Sequence, residues 1–362
     1  MNVAILTLFG RYEANFGNKL QNYAVERIYS KLNCRVTTLV KIKPFKNFDI
    51  IKLKIKWFIN YISGYKFSKD YLRWIRWIKF WNFDKKWLHI KYLPDVSILS
   101  QTNFDYYSVG SDQVWNPNEI KTQDDADWFF LNKITPSKKV CVSPSFSVTN
   151  IPKEKKQIFK DGLNGFQSFS VREDSGKDII RQFTGKESQV LIDPTLALEK
   201  EEWDIIQKRP EHFHNNEKYC LCYFLGPLLN ENWDILQNYA KQNKMNIYNI
   251  MDKDSRLFAI GPDQFIWLIK HAQLIFTDSF HGCVFSIIYE KNFMIFKRTG
   301  KANYMFSRLE TLCHKFQLEN RIIENITEIF IKNQKINYEE INKFIQIEKE
   351  KFWSYIRNEI QK

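Results

Sequence analysis

The feature that most constrains the fold is a regular alternation of short apolar segments with longer helical patterns. The predicted strands of a first series lie at residues 3–9, 35–40, 106–109, 139–143, 169–172 and 190–192. The predicted helices between them lie at residues 18–32, near 153–165 and at 174–183. Because parallel strands need crossover connections of this length, the alternation predicts an α/β fold with a parallel sheet.

The alternation starts again after residue 216. The second series has predicted strands at 219–225, 246–250, 274–277 and 293–296, with helices at 230–243, at 262–272 and from residue 282. Two series of similar size predict two Rossmann-like domains that face each other, at residues 1–200 and 216–330. Residues 335–362 carry apolar side chains at helical spacing, which predicts one amphipathic helix packed across both domains.

The net charge of +13 is concentrated in one segment rather than spread over the chain. Residues 41–94 contain 14 Lys and Arg against three acidic residues, which accounts for eleven of the thirteen charges. A protein that is otherwise near neutral does not have the general basic surface of a nucleic-acid-binding protein, so we expect no nucleic-acid partner.

The run YLRWIRWIKFW inside this basic, aromatic helical segment (41–93) has two interpretations. Arg73, Arg76 and Lys79 are three residues apart and share one helix face, with tryptophans on either side. Such a face suits an anionic membrane surface. The alternative is that the aromatic residues pack on the first domain and the lysines are solvated.

The sequence shows no targeting signal, and this pattern together with the cysteines predicts a cytoplasmic protein. The N-terminal apolar run is short and follows no basic residues, so it predicts a strand rather than a signal peptide, and no run of 18 apolar residues predicts a spanning helix. The six scattered cysteines are expected to be buried free thiols. We therefore expect a cytoplasmic protein, with peripheral association with the inner face of the membrane left open.

Two polar clusters near predicted strand ends suit hydroxyl groups of a substrate. In NFGNKLQN (15–22), Asn18 and Lys19 open a helix whose free N–H groups can bind an anion or a hydroxyl, or the cluster is an ordinary helix cap. In VGSDQVWNP (109–117), Asp112 and Gln113 can project into a cleft. Asp112 then orients or deprotonates a sugar hydroxyl, or it is a structural turn residue.

A third cluster, TDSFHG (277–282), suits acid–base chemistry. His281 and Gly282 follow Ser279 at the start of an apolar helix, where an imidazole is placed for proton transfer near neutral pH. Lys297 and Arg298 leave the next predicted strand, and we expect them on the same side, suited to a phosphate or a carboxylate. The alternative for the histidine is a structural role.

Other motifs narrow the choice of chemistry. Arg172, at another strand end, is a candidate bidentate clamp for an anion or a partner in a surface ion pair. The chain has no GxGxxG motif after a strand and no GxxxxGK[ST] motif, which argues against dinucleotide and P-loop sites. The DAD triplet at 125–127 lies in an acidic loop with no strand before it, so we expect no metal site.

Together these strings resemble the polysaccharide pyruvyl transferase family. The matching strings, in family order, are NFGNKLQNYA (15–24), VGSDQVWNP (109–117), VSPSFS (142–147), VREDSG (171–176), LIDPTL (191–196), TDSFHGCVFSIIYEKNF (277–293) and FSRLETLCHKFQLENR (306–321). The resemblance implies a GT-B-type pair of Rossmann-like domains with the active site in the cleft between them. It also implies transfer of pyruvyl from phosphoenolpyruvate to sugar hydroxyls as a ketal, without a cofactor.

The resemblance also implies roles for single residues. His281 is the catalytic histidine, and Arg172 contacts the donor. The other residues expected on the donor side are Ser279, Gly282, Lys297, Arg298 and Arg308. Cys283 departs from the family, where many members have threonine.

The acceptor, expected at Asn18, Lys19, Asp112 and Gln113, is a lipid-linked oligosaccharide or a nucleotide sugar. Two rival functions stay open at this stage. One is a nucleotide-sugar-dependent glycosyltransferase of the same fold, and the other is a non-catalytic membrane-associated scaffold.

Overall fold

A computed structural model describes residues 1–10, 15–41, 55, 69–211, 213, 217–227, 230–298, 306–330, 332 and 334–361. Most of the basic segment before residue 69, about which the sequence makes a membrane-docking prediction, therefore lies outside the described residues. In the described ranges, no helix is both long enough and apolar enough to span a bilayer.

The first domain is built on a parallel sheet in the order β3-β2-β1-β4-β5. The strands are β1 (Asn2–Leu6), β2 (Arg35–Val40), β3 (Ile90–Tyr92), β4 (Tyr106–Gly110) and β5 (Lys139–Val142), followed by a short parallel pair, β6 (Ser170–Val171) and β7 (Gln189–Val190). The helices are α1 (Phe16–Lys31), α2 (Lys69–Trp87), α3 (Gln123–Phe129), α4 (Lys156–Asn164), α5 (Asp174–Thr184), α6 (Pro194–Ala197) and α7 (Lys200–Asp204). The central strand β1 is almost fully buried, as expected for a parallel sheet covered on both faces.

The second domain repeats this architecture with the sheet order β12-β11-β10-β8-β9. Its strands are β8 (Tyr219–Tyr223), β9 (Asn246–Asn249), β10 (Leu274–Thr277), β11 (Asn292–Phe296) and β12 (Ile322–Ile323), and all of their pairings are parallel. Its helices are α8 (Asn230–Gln242), α9 (Pro262–His271), α10 (Phe280–Ile288) and α11 (Ser307–Phe316). The predicted α/β class with two Rossmann-like domains is confirmed.

The two domains share a continuous apolar core. Phe16 of α1 stacks on Phe265 of α9 with ring centroids 4.6 Å apart. Trp203 of α7 meets Phe285 of α10 edge to face at 4.8 Å. All four side chains are 0% exposed, so separating the domains would return large aromatic surfaces to water.

Helix α2 packs on the second domain, and this corrects part of the prediction for its basic face. Arg76 is buried and donates to the Phe258 carbonyl at 2.7 Å, with its guanidinium 4.3 Å from the centroid of the Phe16 ring. Lys79 donates to Gln264 at 2.9 Å. These two cations therefore lie at the domain interface and are not available to a membrane surface.

A final helix, α12 (Tyr338–Ile360), contacts both domains along its length. Near its start, the Tyr338 hydroxyl donates to the Lys291 carbonyl of the second domain at 2.6 Å. Near its end, the Tyr355 hydroxyl donates to the Cys141 carbonyl of β5 at 3.1 Å. The helix thus ties the end of the chain to both sheets.

Candidate active site

The predicted polar clusters and Arg172 lie where strands of the two main sheets and of the short β6–β7 pair end. Asp112 follows β4, Arg172 follows β6, and Ser279 follows β10. In parallel α/β sheets this edge is where ligands bind. The two edges face each other, because the first turn of α1 in the first domain lies against His281 at the start of α10 in the second.

His281 is enclosed by both domains. Ser279 caps α10, with its hydroxyl accepting from the Gly282 amide at 3.4 Å, which places the imidazole in the first turn of the helix. A Cβ atom on Gly17 would lie 2.1 Å from Nδ1, so glycine is required for α1 to cover the ring. The His281 side chain is only 8% exposed.

Arg172 is held between two carboxylates. Its Nη1 donates to Asp193 Oδ2 at 2.6 Å, and its Nη2 lies 3.6 Å from Asp112 Oδ1. Burial lowers the pKa of Arg172, but the charges of Asp193, Asp112 and Glu173 outweigh burial and raise it. The guanidinium therefore stays charged, 4.5 Å from the centroid of the Phe280 ring.

Arg308 approaches the same ring from α11. Its guanidinium lies 5.8 Å from the Phe280 centroid, and burial together with the charge of Arg172 lowers its pKa to about 9. The Gln113 amide fits its neighbours best with its oxygen toward Arg308, 3.3 Å from both terminal nitrogens. Gln113 of the first domain thus contacts a cation of the second.

Arg172, His281 and Arg308, the cationic cluster, carry buried nitrogen atoms that make no hydrogen bond among the described residues. These nitrogens are Nε and Nη2 of Arg172, Nε of Arg308 and Nε2 of His281. Each unsatisfied buried donor costs about 1–3 kcal/mol. An anion with several oxygens, such as a phosphate or a carboxylate, is the kind of ligand that satisfies such a set.

Lys297 and Arg298, which the sequence predicts as a basic pair on one side, contact different acidic partners in the structure. Arg298 Nε donates to Asp278 Oδ2 at 2.9 Å, and that carboxylate also accepts from the amides of Leu225 and Gly226. Lys297 pairs with Glu324 at the surface. Consecutive residues of an extended chain point to opposite sides, so the two cations have different partners.

Asp112 lies between the cationic cluster and an adjoining cavity. Its Oδ2 accepts from Asn18 Nδ2 at 2.5 Å, and its Oδ1 accepts from the backbone N–H of Gln113 at 2.8 Å. The cavity has a volume of about 390 Å³. It is lined by these three residues together with Phe9, Lys41, Lys121 and Trp128, among others. Polar groups beside an apolar wall suit a sugar.

Lys19 does not line this cavity, although the sequence places it in the acceptor site. Its Nζ pairs with Asp84 at 2.8 Å and lies 3.3 Å from the centroid of the Phe9 ring. Burial lowers the pKa of this ammonium group, which the charge of Asp84 partly offsets. The structure therefore gives Lys19 a supporting position beneath Phe9.

The acidic triplet at 125–127 lies in α3 and forms hydrogen bonds that stabilise this helix and the turn after it. Asp125 completes a capping box with Thr122 and pairs with Lys41 at 2.8 Å. Asp127 accepts from Gln123 and Asn132. Among the described residues, no group of three or more His, Cys, Asp or Glu side chains is arranged to hold a metal ion.

The sequence does not predict two residues of the site that contact His281. Asp193 reaches both Arg172 and His281, and Gly17 gives the imidazole its space. Asp193 precedes a proline, which signals a helix cap, and Gly17 signals a relaxed turn. Neither signal reveals a contact with a residue far along the chain.

A model of a family described as polysaccharide pyruvyl transferase matches residues 15–299. No curated protein sequence matches the chain.

One solved structure, with a TM-score of 0.53, shows the fold. A Listeria monocytogenes protein assigned as a UDP-N-acetylglucosamine 2-epimerase aligns with a TM-score of 0.53 and 11% identity, covering 95% of this chain and 90% of its own. A Neisseria meningitidis UDP-GlcNAc 2-epimerase aligns with a TM-score of 0.49 and 13% identity, covering 96% and 98%. The predicted GT-B-type arrangement is confirmed.

Proposed function

The chain belongs to the polysaccharide pyruvyl transferase family, and we propose that it uses phosphoenolpyruvate as the pyruvyl donor. In this proposal the pyruvyl group moves to hydroxyls of a sugar in a precursor of a cell-surface polysaccharide, such as an exopolysaccharide. The product is a pyruvate ketal, and phosphate is released. Family membership makes the protein a transferase, and the donor and product are the proposed parts.

The cationic cluster is the observation that carries the choice of donor. Phosphoenolpyruvate has a phosphate and a carboxylate attached to the same carbon, so its site needs several N–H donors close together. Arg172, Arg308 and His281 supply unsatisfied donors at one place in the cleft. The first turn of α10, with Ser279 and Gly282, adds the positive end of a helix dipole beside them.

The proposed reaction moves one proton to carbon and displaces phosphate. His281, as imidazolium, gives a proton to the methylene carbon, which leaves an oxocarbenium-like centre at the neighbouring carbon. One sugar hydroxyl attacks that centre, and a second hydroxyl closes the ketal as the carbon–oxygen bond to phosphate breaks. Of the two hydroxyl protons released, one restores His281 and the other leaves on the phosphate.

Asp112 suits the acceptor side of this reaction. Its carboxylate is 3.6 Å from Arg172 and also lines the cavity of about 390 Å³, so a hydroxyl bound there would meet the donor carbon. Asn18 and Gln113 hold the carboxylate and line the same cavity. We propose that the acceptor sugar, on a lipid-linked oligosaccharide or a nucleotide sugar, occupies this cavity.

A labelling experiment separates this function from that of a glycosyltransferase. Phosphoenolpyruvate labelled in its carbon chain and a nucleotide sugar labelled in its sugar are offered separately with a panel of glycans. The proposal predicts that the label of phosphoenolpyruvate moves, with a mass gain of one pyruvate less one water. Transfer of the sugar label instead would establish the rival activity.

Because cationic side chains neutralise the donor, the proposed reaction needs no metal and no cofactor. Dialysis against a chelator is therefore expected to leave the rate of phosphate release unchanged. Restoration of a lost rate by a divalent cation would contradict this part of the proposal.

We further propose that the protein acts in the cytoplasm, where reduced thiols persist. All six cysteines are buried and free. Association with the inner membrane face would rest on cations other than Arg76 and Lys79, which lie at the domain interface. Flotation with liposomes tests it, and binding that does not depend on anionic lipid would contradict it.

A further inference from the structure

The second domain supplies His281, but the first domain builds its surroundings. Gly17 of α1 covers the ring on the side of Nδ1. On the other side, Nε2 lies 3.8 Å from Asp193 Oδ2, which is an ion-pair separation. Among the described acidic residues, Asp193 is the one with a carboxylate oxygen within 4.0 Å of this imidazole.

The two oxygens of Asp193 have separate contacts. Oδ1 caps α6 by accepting from the amide and the hydroxyl of Thr195, at 3.0 and 2.6 Å. Oδ2 accepts from Arg172 at 2.6 Å and from Ser111 at 3.2 Å, and it faces His281. The side chain is 0% exposed. Oδ1 therefore stabilises the start of α6, and Oδ2 contacts the cationic cluster.

The charges around this carboxylate keep it ionised. Burial raises the pKa of Asp193, but contact with His281 and the charge of Arg172 lower it well below its usual range. The other charged groups at this edge of the cleft come from several elements. They are Asp112 after β4, Glu173 after β6, Asp278 and Arg298 of the second sheet, Arg308 of α11, and Lys19 of α1, which is paired with Asp84.

We propose that Asp193 is a positioning residue whose carboxylate is the negative charge facing the His281 imidazole and which fixes Arg172 beside it. The general acid is then assembled across the domain interface, because its carboxylate partner belongs to the other domain. This inference rests on the proposed function for its chemical meaning, since His281 must carry the proton that it gives to the donor.

The variant Asp193→Asn separates this role from helix capping. Asparagine caps helices about as well as aspartate, so the contacts with Thr195 can persist while the charge is lost. Glu348→Gln is the matched control. Glu348 is another buried carboxylate with lysine partners, and it lies on α12, outside the cleft.

The test follows the protonation of His281 directly by NMR on full-length protein with ¹³C-labelled histidine rings. The His281 signal is identified by its loss in His281→Gln. We expect its titration midpoint to fall by about one pH unit or more in Asp193→Asn, because a facing negative charge stabilises the imidazolium. The control should leave the midpoint unchanged, and an unchanged or higher midpoint in Asp193→Asn would overturn the proposal.

Arg172→Gln gives an independent test of opposite sign. Loss of a neighbouring cation that shares Asp193 is expected to raise the His281 midpoint, so a lower or unchanged midpoint would also overturn the proposal. Neither titration needs a substrate. If the wild-type protein transferred no pyruvyl group, the proposed function would fail while the titrations still decided the role of Asp193.

Discussion

Arg308 has no acidic side chain within 4.0 Å among the described residues, whereas Arg172 faces two carboxylates. Burial lowers the pKa of Arg308, so its charge opposes folding unless a ligand balances it. Active sites commonly hold groups that lower the stability of the folded protein but are needed for ligand binding. Removing the charge of Arg308 is therefore expected to have opposite effects on the stability of the protein and on ligand binding.

Replacing Arg308 by methionine is expected to leave the melting temperature at or above that of the wild type. The same variant should weaken phosphoenolpyruvate binding by about 10-fold or more, since a hydrogen bond to a charged group contributes about 1.5–3 kcal/mol. Calorimetry measures both quantities. Arg181→Met, which removes an exposed partner of Glu187, is the control and should change neither. A large loss of stability in Arg308→Met would contradict this account.

His281→Gln should lower kcat by about two orders of magnitude or more, the usual contribution of a general acid, without unfolding the protein. The rate of phosphate release with donor and acceptor checks it. His314→Gln is the control, since His314 is exposed on α11 and pairs with Glu319. Turnover near the wild-type rate in His281→Gln would exclude the histidine from the chemistry.

Gly17→Ala should lower kcat by about 10-fold or more, because the added Cβ would lie 2.1 Å from His281 Nδ1 and displace the ring. The double variant with His281→Gln isolates this cause. If Gly17 acts through the imidazole, alanine costs little additional activity once the imidazole is gone. Equal losses in both backgrounds would point to a different role for the first turn of α1.

The residues that the sequence could identify are those whose chemistry follows from local position. His281 and Ser279 lie at the start of an apolar helix after a strand, and Arg172 lies at a strand end, so their place in a cleft is predictable. Asp193 and Gly17 depend on contacts between distant parts of the chain. The pairing of Lys19 with Asp84 is likewise hidden from the sequence, because Asp84 lies on α2 and a local motif carries no information about it.

At the level of elements, strongly periodic segments were predictable and very short ones were not. The strands β1, β4, β8 and β10 are runs of buried apolar residues bounded by turns, which is a clear signal. Strands β3 and β12 have three and two residues, too few to show a period. Their places at the sheet edges follow only from tertiary packing.

Helix α2 shows why the partner of an amphipathic face is hard to predict. A basic stripe beside tryptophans suits a membrane, yet Arg76 is buried against Phe16 and Phe258. The aromatic rings and the Phe258 carbonyl make this buried position favourable for a guanidinium. Only the assembled domain interface supplies these groups, since Phe16 belongs to the first domain and Phe258 to the second.

Arg76→Ala should lower the free energy of unfolding by about 2–4 kcal/mol, because it leaves a cavity at the domain interface and an unpaired carbonyl. Urea denaturation measures the change. The exposed Arg73 on the same helix is the control, and its alanine variant should stay within about 0.5 kcal/mol of wild type. Equal effects of the two variants would contradict the interface role of Arg76.

At the scale of the whole molecule, two sheets, a shared core and α12 fix the strand ends of both domains opposite each other. The alternation of segments predicted the two sheets, but their mutual orientation depends on aromatic contacts such as Phe16 with Phe265. That orientation brings Arg172 of one domain and Arg308 of the other to 4.5 and 5.8 Å from the centroid of the Phe280 ring. The donor site therefore belongs to neither domain alone.

Calorimetric titration with phosphoenolpyruvate tests the central claim most directly, because it needs no knowledge of the acceptor. We predict saturable binding to the full-length protein, weakened about 10- to 100-fold in Arg172→Lys and in Arg308→Met, both checked for native melting behaviour. Arg181→Met should bind as the wild type does. Absence of binding to the wild-type protein, or equal binding to all four proteins, would contradict the claim that the cationic cluster receives the donor.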